Sequence, residues 1–486
     1  MSDMSRSTRH IKCDETPGVC NNCKSTGRKC DGYDISRLSG TVLPVDIIPN
    51  LGDQLGWVTT TDETRCFSYF TRCSIPGLAT FFHLPLWQKL AMQMSRIDRA
   101  VYHAATMFGA IHEDSDHHRM RLLGENLGKS RHRFALEQAS RAYSLLQNRS
   151  TSNDPQFREV LLLCCLLFLL SDLLLGRYDH AFIHLRGGLT IIEEAGDQYN
   201  FLTVHHEGSL QNCLVQIFQR LNFESALFGE GRPFLSFRNE RKHDCLDACF
   251  PFTRQGQQYA HQSINNMLAM GVPFLTKCWL LSRSQVEADY QELFENQQRL
   301  ISGYLRLKER IQRYYDHLYH EFDYVEKQGL EVLQLQCDGQ LLSIKTCLLD
   351  GPIPDSFTPE YVKLLEACEN FMSKFPERST VTLDCGVVPS LYVVASKCPQ
   401  YMIRLRAIDT LFSWPHVEGL INSNFVASLA LKIMKGELQG KETRDTLSLI
   451  DQQAEKELDR FLSETLISTP QAINWPSIRA AKILSP

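Results

Sequence analysis

The chain has 486 residues, 43% hydrophobic and 22% charged, an ordinary globular composition that excludes wholesale disorder. A formal net charge of -5 excludes a general polyanion binder, so any contact with nucleic acid needs a local basic patch. Seventeen cysteines, an odd number, and an opening MSDMSRSTRHIK without an apolar core speak against a secretory leader and for a reducing compartment where thiols stay free or hold metal.

The first element in chain order is a cysteine module over residues 1–33. Arg9 to Tyr33 read RHIKCDETPGVCNNCKSTGRKCDGY, which sets Cys13, Cys20, Cys23 and Cys30 at Cys-x6-Cys-x2-Cys-x6-Cys spacing. Four thiolates fill a tetrahedral zinc shell, and Cys20-x2-Cys23 has the form of a chelating turn. Pro17 and Gly18 tighten the loop between Cys13 and Cys20. The competing reading is four unligated thiols. The module's basic side chains are Arg6, Arg9, Lys12, Lys24, Arg28 and Lys29, set against Asp3, Asp14, Glu15 and Asp31. That modest excess predicts weak, salt-sensitive binding by one module.

Residues 34–64 read as a linker punctuated by Gly40, Pro44, Pro49, Gly52 and Gly56, with no sustained heptad that would mark a coiled-coil dimer. From residue 65 to about 480 the pattern is that of a large all-α domain. In RIDRAVYHAATMFGAIHE, Ile97, Val101, Ala104, Ala105, Phe108 and Ile111 follow helical spacing. The run VLLLCCLLFLL, Val160 to Leu170, falls short of the ~20 apolar residues of a membrane span and reads as a helix buried on all sides, with Cys164 and Cys165 as inert thiols. YDHAFIHLRGGLTIIEEAG is amphipathic and stops at Gly196, and QQRLISGYLRLKERIQRYYDHLYHEF is a further long helix. FTPEYVKLLEACENFM opens with Thr358 as N-cap and Pro359 in the first turn. TLFSWPHVEGL breaks at Pro415, and a helix restarts in SNFVASLALKIMKGEL.

Several stretches imitate enzyme or metal motifs. GENLGKS, Gly124 to Ser130, has three residues between its glycines where a phosphate loop needs four, and no strand precedes it. HEDSDHH, His112 to His118, has Asp116 where a zinc-protease pair needs histidine, and reads as a helix end running into a solvated loop. His180 and His184 are spaced to share a metal but have no third ligand in sight, and satisfied histidines are the commoner case. CLDAC, Cys245 to Cys249, with His243 nearby, reads as a structural thiol pair. No nucleophile elbow or paired-carboxylate motif is found, so an enzyme is not expected.

The module resembles the six-cysteine binuclear zinc cluster of fungal transcription regulators through IKCDE, PGVCNNC, TGRKC and CDGY. The resemblance maps Cys13, Cys20, Cys23 and Cys30 onto that family's third to sixth cysteines and puts Asp3 and Arg6 at the first two. It implies a bridging role for Cys20, and four thiolates with one bridge supply five of the eight positions that two zincs require. Three readings stay open: a missing pair upstream of Met1, a single Zn2+ on the four cysteines, or a degenerate module that does not touch DNA. The abrupt departure before residue 8 favours the first. The resemblance further implies that Ser7–Lys12 enters the major groove of double-stranded DNA. There Arg9 and His10 would read a CGG triplet, with Lys12 beside them and Lys24, Arg28 and Lys29 meeting phosphates.

FSYFTRCSIPGLATFFHLPLWQKLAMQMSRIDRAVYHAATMFGAIHE resembles the start of the fungal-specific transcription factor domain, with YDHAFIHLRGGLTII and LFSWPHVEGL fitting later parts. This looser likeness covers most of 65–435. It implies a nuclear regulator with a DNA-binding zinc module and an all-α regulatory domain that engages the transcription machinery or co-regulators. A homodimer, no membrane contact and control of a specialised-metabolite gene cluster are further expectations. The alternative is an all-α interaction protein that never contacts DNA.

Overall fold

Helical spacing of apolar side chains becomes helix along most of the chain. The computed structural model describes residues 51–83, 86–122, 124–149, 156–194, 210–227 and 256–442, with Ser25, Leu38, Ile48, Asp154, Pro233 and Phe234 as single positions. Helix α1 is Leu51–Leu55 and α2 is Thr61–Tyr69. α2 opens on a capping box: the Thr60 hydroxyl accepts from Glu63 N at 3.2 Å, and the Glu63 carboxylate accepts from Thr60 N at 3.0 Å. Leu38, Leu51 and Leu55 are buried in the same core as α2, so the chain packs against the body before residue 65.

A π-helical turn at Phe70–Ser74, α3 at Ile75–Leu78, a second π turn at Leu86–Leu90 and α4 at Ala91–Ile97 lead to α5, Arg99–His117. The continuous helical pattern expected from Ile97 is divided here. Asp98 leaves the helix and its carboxylate accepts from Ala100 N and Val101 N, which starts α5 afresh and leaves Ile97 74% exposed. Val101, Ala104, Ala105, Phe108 and Ile111 are buried. Then follow α6 (Ser130–Asn148), α7 (Phe157–Leu174), α8 (Tyr178–Glu194) and α9 (Leu210–Ser225). α7 carries the apolar run: Leu166 to Leu170 are all buried, but Phe157, Leu161 and Cys165, spaced four apart, are only half-buried, so the helix is not enclosed on all sides as expected. No helix among the described residues is long and apolar enough to cross a membrane.

The second half holds α10 (Gly256–Leu280), α11 (Arg283–Ala288), α12 (Tyr290–Leu318), α13 (Tyr324–Thr346), α14 (Thr358–Lys374), α15 (Val388–Lys397), α16 (Tyr401–Ser413) and α17 (Ser423–Glu442). Thr358 is not a side-chain cap. A 3-10 turn at Asp355–Phe357 runs straight into α14, so Phe357 takes the cap position and the Thr358 hydroxyl has no partner.

Two apolar cores result. The first is built from α1 to α9 and the second from α10 to α17, and each borrows from the other half. Phe81 and Phe82 reach into the second core. Val381, Leu383, Val417 and Leu420 reach into the first. The lender is a small sheet: β1 (Val381–Thr382) pairs parallel with β2 (Val417–Glu418), which pairs antiparallel with β3 (Ile421–Asn422). Gly419 at φ +55° makes the tight turn between β2 and β3.

Candidate functional site

Cys13, Cys20, Cys23 and Cys30 lie outside the described residues, as do Arg9, His10, Lys12, Lys24, Arg28 and Lys29. Ser25, within the module, is helical and exposed. The donor chemistry suits one tetrahedral Zn2+ and falls short of the six thiolates of a binuclear cluster. His243, Cys245 and Cys249 are also outside the described residues. Among the described residues, no group of three or more His, Cys, Asp or Glu side chains is arranged to hold a metal ion.

The stretch HEDSDHH departs from its expected form. His112, Glu113, Asp114 and Ser115 are buried within α5 rather than solvated, because the opening segments and α6 close over this face with matching charges. His112 Nδ1 pairs with Ser74 Oγ at 2.8 Å and Nε2 with Thr380 Oγ1 at 3.0 Å. Burial pulls this imidazole down to about 3, so it is a neutral structural group. Glu113 accepts from Arg65 at 2.6 Å and from Arg131. Asp114 accepts from Lys129 at 3.0 Å and His132 at 3.1 Å. Burial alone would raise the Asp114 carboxyl, but those partners hold it at about 2. Lys129, the lysine of GENLGKS, is thus an ion-pair partner at the start of α6.

His180 and His184 belong to no group of three ligands arranged for a metal among the described residues. His184 lies 3.5 Å from Asp172 and 3.3 Å from the Tyr143 hydroxyl, and burial lowers it to about 4, whereas His180 is exposed. Cys164 is fully buried and Cys165 half-buried, and burial pushes the Cys165 thiol up to about 12.

A polar cluster that no local pattern announces ties the two cores together. Arg220 on α9 bonds Asp384 and donates to Leu383 O at 3.0 Å. His261 on α10 meets the same Asp384 carboxylate at 2.9 Å, with Phe82 stacked on its ring at 4.0 Å. Burial would raise Asp384, yet Arg220 and His261 bring it below the ordinary carboxylate value. Glu224 accepts from Leu420 N at 3.2 Å and from the Cys385 thiol at 3.4 Å, and its burial pushes it up to about 7. Glu418 accepts from Gly386 N, Val387 N and Val388 N at 2.6, 3.0 and 3.0 Å, a side chain held by the free backbone donors at the start of α15. His416 Nε2 lies 2.8 Å from the same carboxylate. Each acid is met by donors from the protein itself, and burial raises the Cys385 thiol, so the cluster is a buried fastening rather than a reactive constellation.

With this geometry established, residues 7–39 match the fungal Zn(2)-Cys(6) binuclear cluster domain and residues 65–300 match the fungal specific transcription factor domain. The first match starts beyond Asp3 and Arg6. The chain is similar to the aspercryptin biosynthesis cluster-specific transcription regulator atnN of Emericella nidulans, at 27% identity over 216 residues, 38% of this chain and 33% of the relative. The likeness therefore spans about a third of that protein's length. No solved structure matches the chain.

Proposed function

We propose that the chain is a fungal zinc-cluster transcription regulator rather than an enzyme, acting in the nucleus by holding zinc in residues 1–33 and binding DNA there. The observation that carries this reading is the coincidence of four cysteines at ligand spacing with basic residues inside the matched stretch 7–39. Cys13, Cys20, Cys23 and Cys30 would hold Zn2+, which gives a fixed shape to a segment too short to bury a core. Arg9 and His10 read a CGG triplet, an arginine fork suiting guanine O6 and N7. Lys12, Lys24, Arg28 and Lys29 position the module on phosphates. The all-α body recruits the transcription machinery or co-regulators, and a homodimer would pair two such triplets. The relative's role in a biosynthesis cluster supports a specialised-metabolite cluster as the target.

The test is a full-length chain carrying Asp3→Cys and Arg6→Cys, compared with the chain as it stands. The restored chain is expected to hold two zincs and to favour a CGG duplex over a scrambled one. Arg9→Ala should then cost about 1–3 kcal/mol on the CGG duplex alone. Equal affinity for both duplexes at moderate salt would overturn the base-reading role.

The shortfall of thiolates favours a second reading, an all-α interaction protein with a degenerate module. A chain that holds no zinc and ignores DNA in both forms would establish it.

A further inference from the structure

Helix α12 buries one face, with Leu300, Tyr304, Leu307, Ile311 and Tyr314 in the second core. A second apolar stripe runs beside that face and points outward. Tyr290 and Leu305 are each 49% exposed and Phe294 is 39% exposed, with Ile301 half-buried among them. At 3.6 residues per turn these four positions fall within about 60° of arc, so they form one line along the helix. Single exposed apolar side chains are ordinary, whereas a line of large ones marks a contact surface. The rings of Tyr290 and Phe294 stack at 5.9 Å. Leu280 and Leu349, both exposed, follow the ends of α10 and α13 and widen the stripe at its first end. Those ends are held beside the start of α12. Gln297 Nε2 donates to Ile344 O in the last turn of α13 at 2.7 Å, and Lys277 in the last turn of α10 lies 3.8 Å from Glu292.

We propose that this stripe is a self-association surface, covered by the same stripe of a second copy of the chain running antiparallel to it. The spacing is a palindrome: the steps from Tyr290 to Phe294, to Ile301 and to Leu305 are four, seven and four residues. A twofold axis over the point between Gln297 and Gln298 therefore sets Tyr290 against the partner's Leu305 and Phe294 against the partner's Ile301. Each contact is made twice, as an isologous interface requires. Charge selects the same orientation. Before that point α12 carries Glu292 and Glu295; after it Arg299, Arg306, Lys308, Arg310 and Arg313 outnumber Glu309 and Asp316. An antiparallel copy lays the acidic part on the basic part, whereas a parallel copy sets like charges together. Glu295 accepts from Gln291 at 2.8 Å and Arg299 donates to Asn296 at 2.9 Å, which leaves both charges for the second copy to match. A stable interface takes about 800 Å² from each partner, more than four side chains present, and Leu280, Leu349 and this charged rim extend it. The linker over residues 34–64 has no heptad pattern to hold a dimer. The proposal takes up the homodimer of the proposed regulator and places its contact in the all-α body.

The experiment measures the mass of the full-length chain by sedimentation equilibrium at micromolar concentration, without DNA. The parent chain is expected at the mass of two chains. Phe294→Asp combined with Leu305→Asp puts carboxylates into the stripe of both copies and should shift the chain to the mass of one. Both sites are exposed, so the double variant should keep the parent's circular dichroism. Ile183→Asp, at an exposed apolar position on α8, should leave the dimer intact. The register is read with the photo-crosslinker p-benzoylphenylalanine in place of Phe294, in a mixture of unlabelled and isotope-labelled chains. The expected link joins it to the peptide holding the partner's Ile301. A parent chain that is monomeric overturns the proposal and leaves the stripe to another partner. A dimer that survives the double substitution, or that links at a different segment, overturns it as well. A chain that dimerises through the stripe but ignores DNA overturns the DNA-binding reading and leaves this one standing.

Discussion

Glu224 and His112 give the molecule opposing pH dependences. Burial raises the Glu224 carboxyl from 4.5 to about 7, so between those values the folded chain keeps a proton that the unfolded chain has released. Stability from this group is therefore present below about 4.5 and is lost as pH rises toward 7. His112 falls from 6.5 to about 3, so across that window the unfolded chain binds a proton the folded chain refuses, and stability is lost as pH falls. His184, lowered to about 4, adds to the same acid loss. Between 4.5 and 6.5 the Glu224 slope offsets that of one histidine, and the other leaves these three groups with a net loss of stability toward acid. Glu224→Gln keeps an acceptor for Leu420 N but removes the titration. The variant should gain stability relative to the parent as pH rises through that window, by a difference on the order of 3 kcal/mol. Urea midpoints measured across the range read this directly. Parallel profiles for parent and variant would show that Glu224 is ionised in the folded chain throughout.

At the scale of elements, α5 shows what hydrophobic spacing can and cannot convey. Its buried face was legible because Val101, Ala104, Ala105, Phe108 and Ile111 repeat at three and four residues. Its start was not, since Ile97 continues the period numerically while Asp98 breaks it with a cap. Thr358 failed as a cap for a related reason: a 3-10 turn upstream supplies the helix entry, which residue type alone does not reveal. Glycines separate these levels experimentally. A Cβ on Gly109 would run into the Cys66 carbonyl oxygen and lie 3.2 Å from Phe70 Cβ, because α2 and α5 touch there, and a backbone carbonyl cannot rotate away. Gly187, on the exposed side of α8, has nothing within 4 Å of such an atom. Alanine gains about 1 kcal/mol over glycine in a helix interior, and overpacking costs about 1–3 kcal/mol. Gly187→Ala should accordingly raise the melting temperature and Gly109→Ala should lower it. A rise in both would mean that α2 and α5 stand further apart than described.

At the scale of the whole molecule, the family match of the cysteine module was legible because its pattern is local: four cysteines and their basic neighbours fall within 25 residues of sequence. The fastening between the cores was not legible, because Arg220 and Asp384 are 164 positions apart and His261 and Asp384 are 123 apart. Neither has a spacing that sequence could mark, and only the fold brings them together. Their burial makes them energetically exposed to mutation. Removing one partner of a buried pair strands a charge and costs about 3–5 kcal/mol. Asp384→Asn should lose about that much by leaving Arg220 without its counter-charge, since Glu224 is 3.9 Å from Arg220 Nε and itself only partly ionised near neutral pH. Arg220→Leu should be costly by the converse route, with His261 alone facing Asp384. The double variant has no stranded charge left between these positions. Its cost should fall short of the sum of the singles by about 1–3 kcal/mol in a double-mutant cycle. Additivity within ~0.5 kcal/mol would show that the pair does not couple the halves. Since the cluster draws residues from α9, α10 and the small sheet, Asp384→Asn should also lower the unfolding of both cores together. A variant in which α10 to α17 melt while α1 to α9 keep their amide protection would instead make the two cores independent folding units.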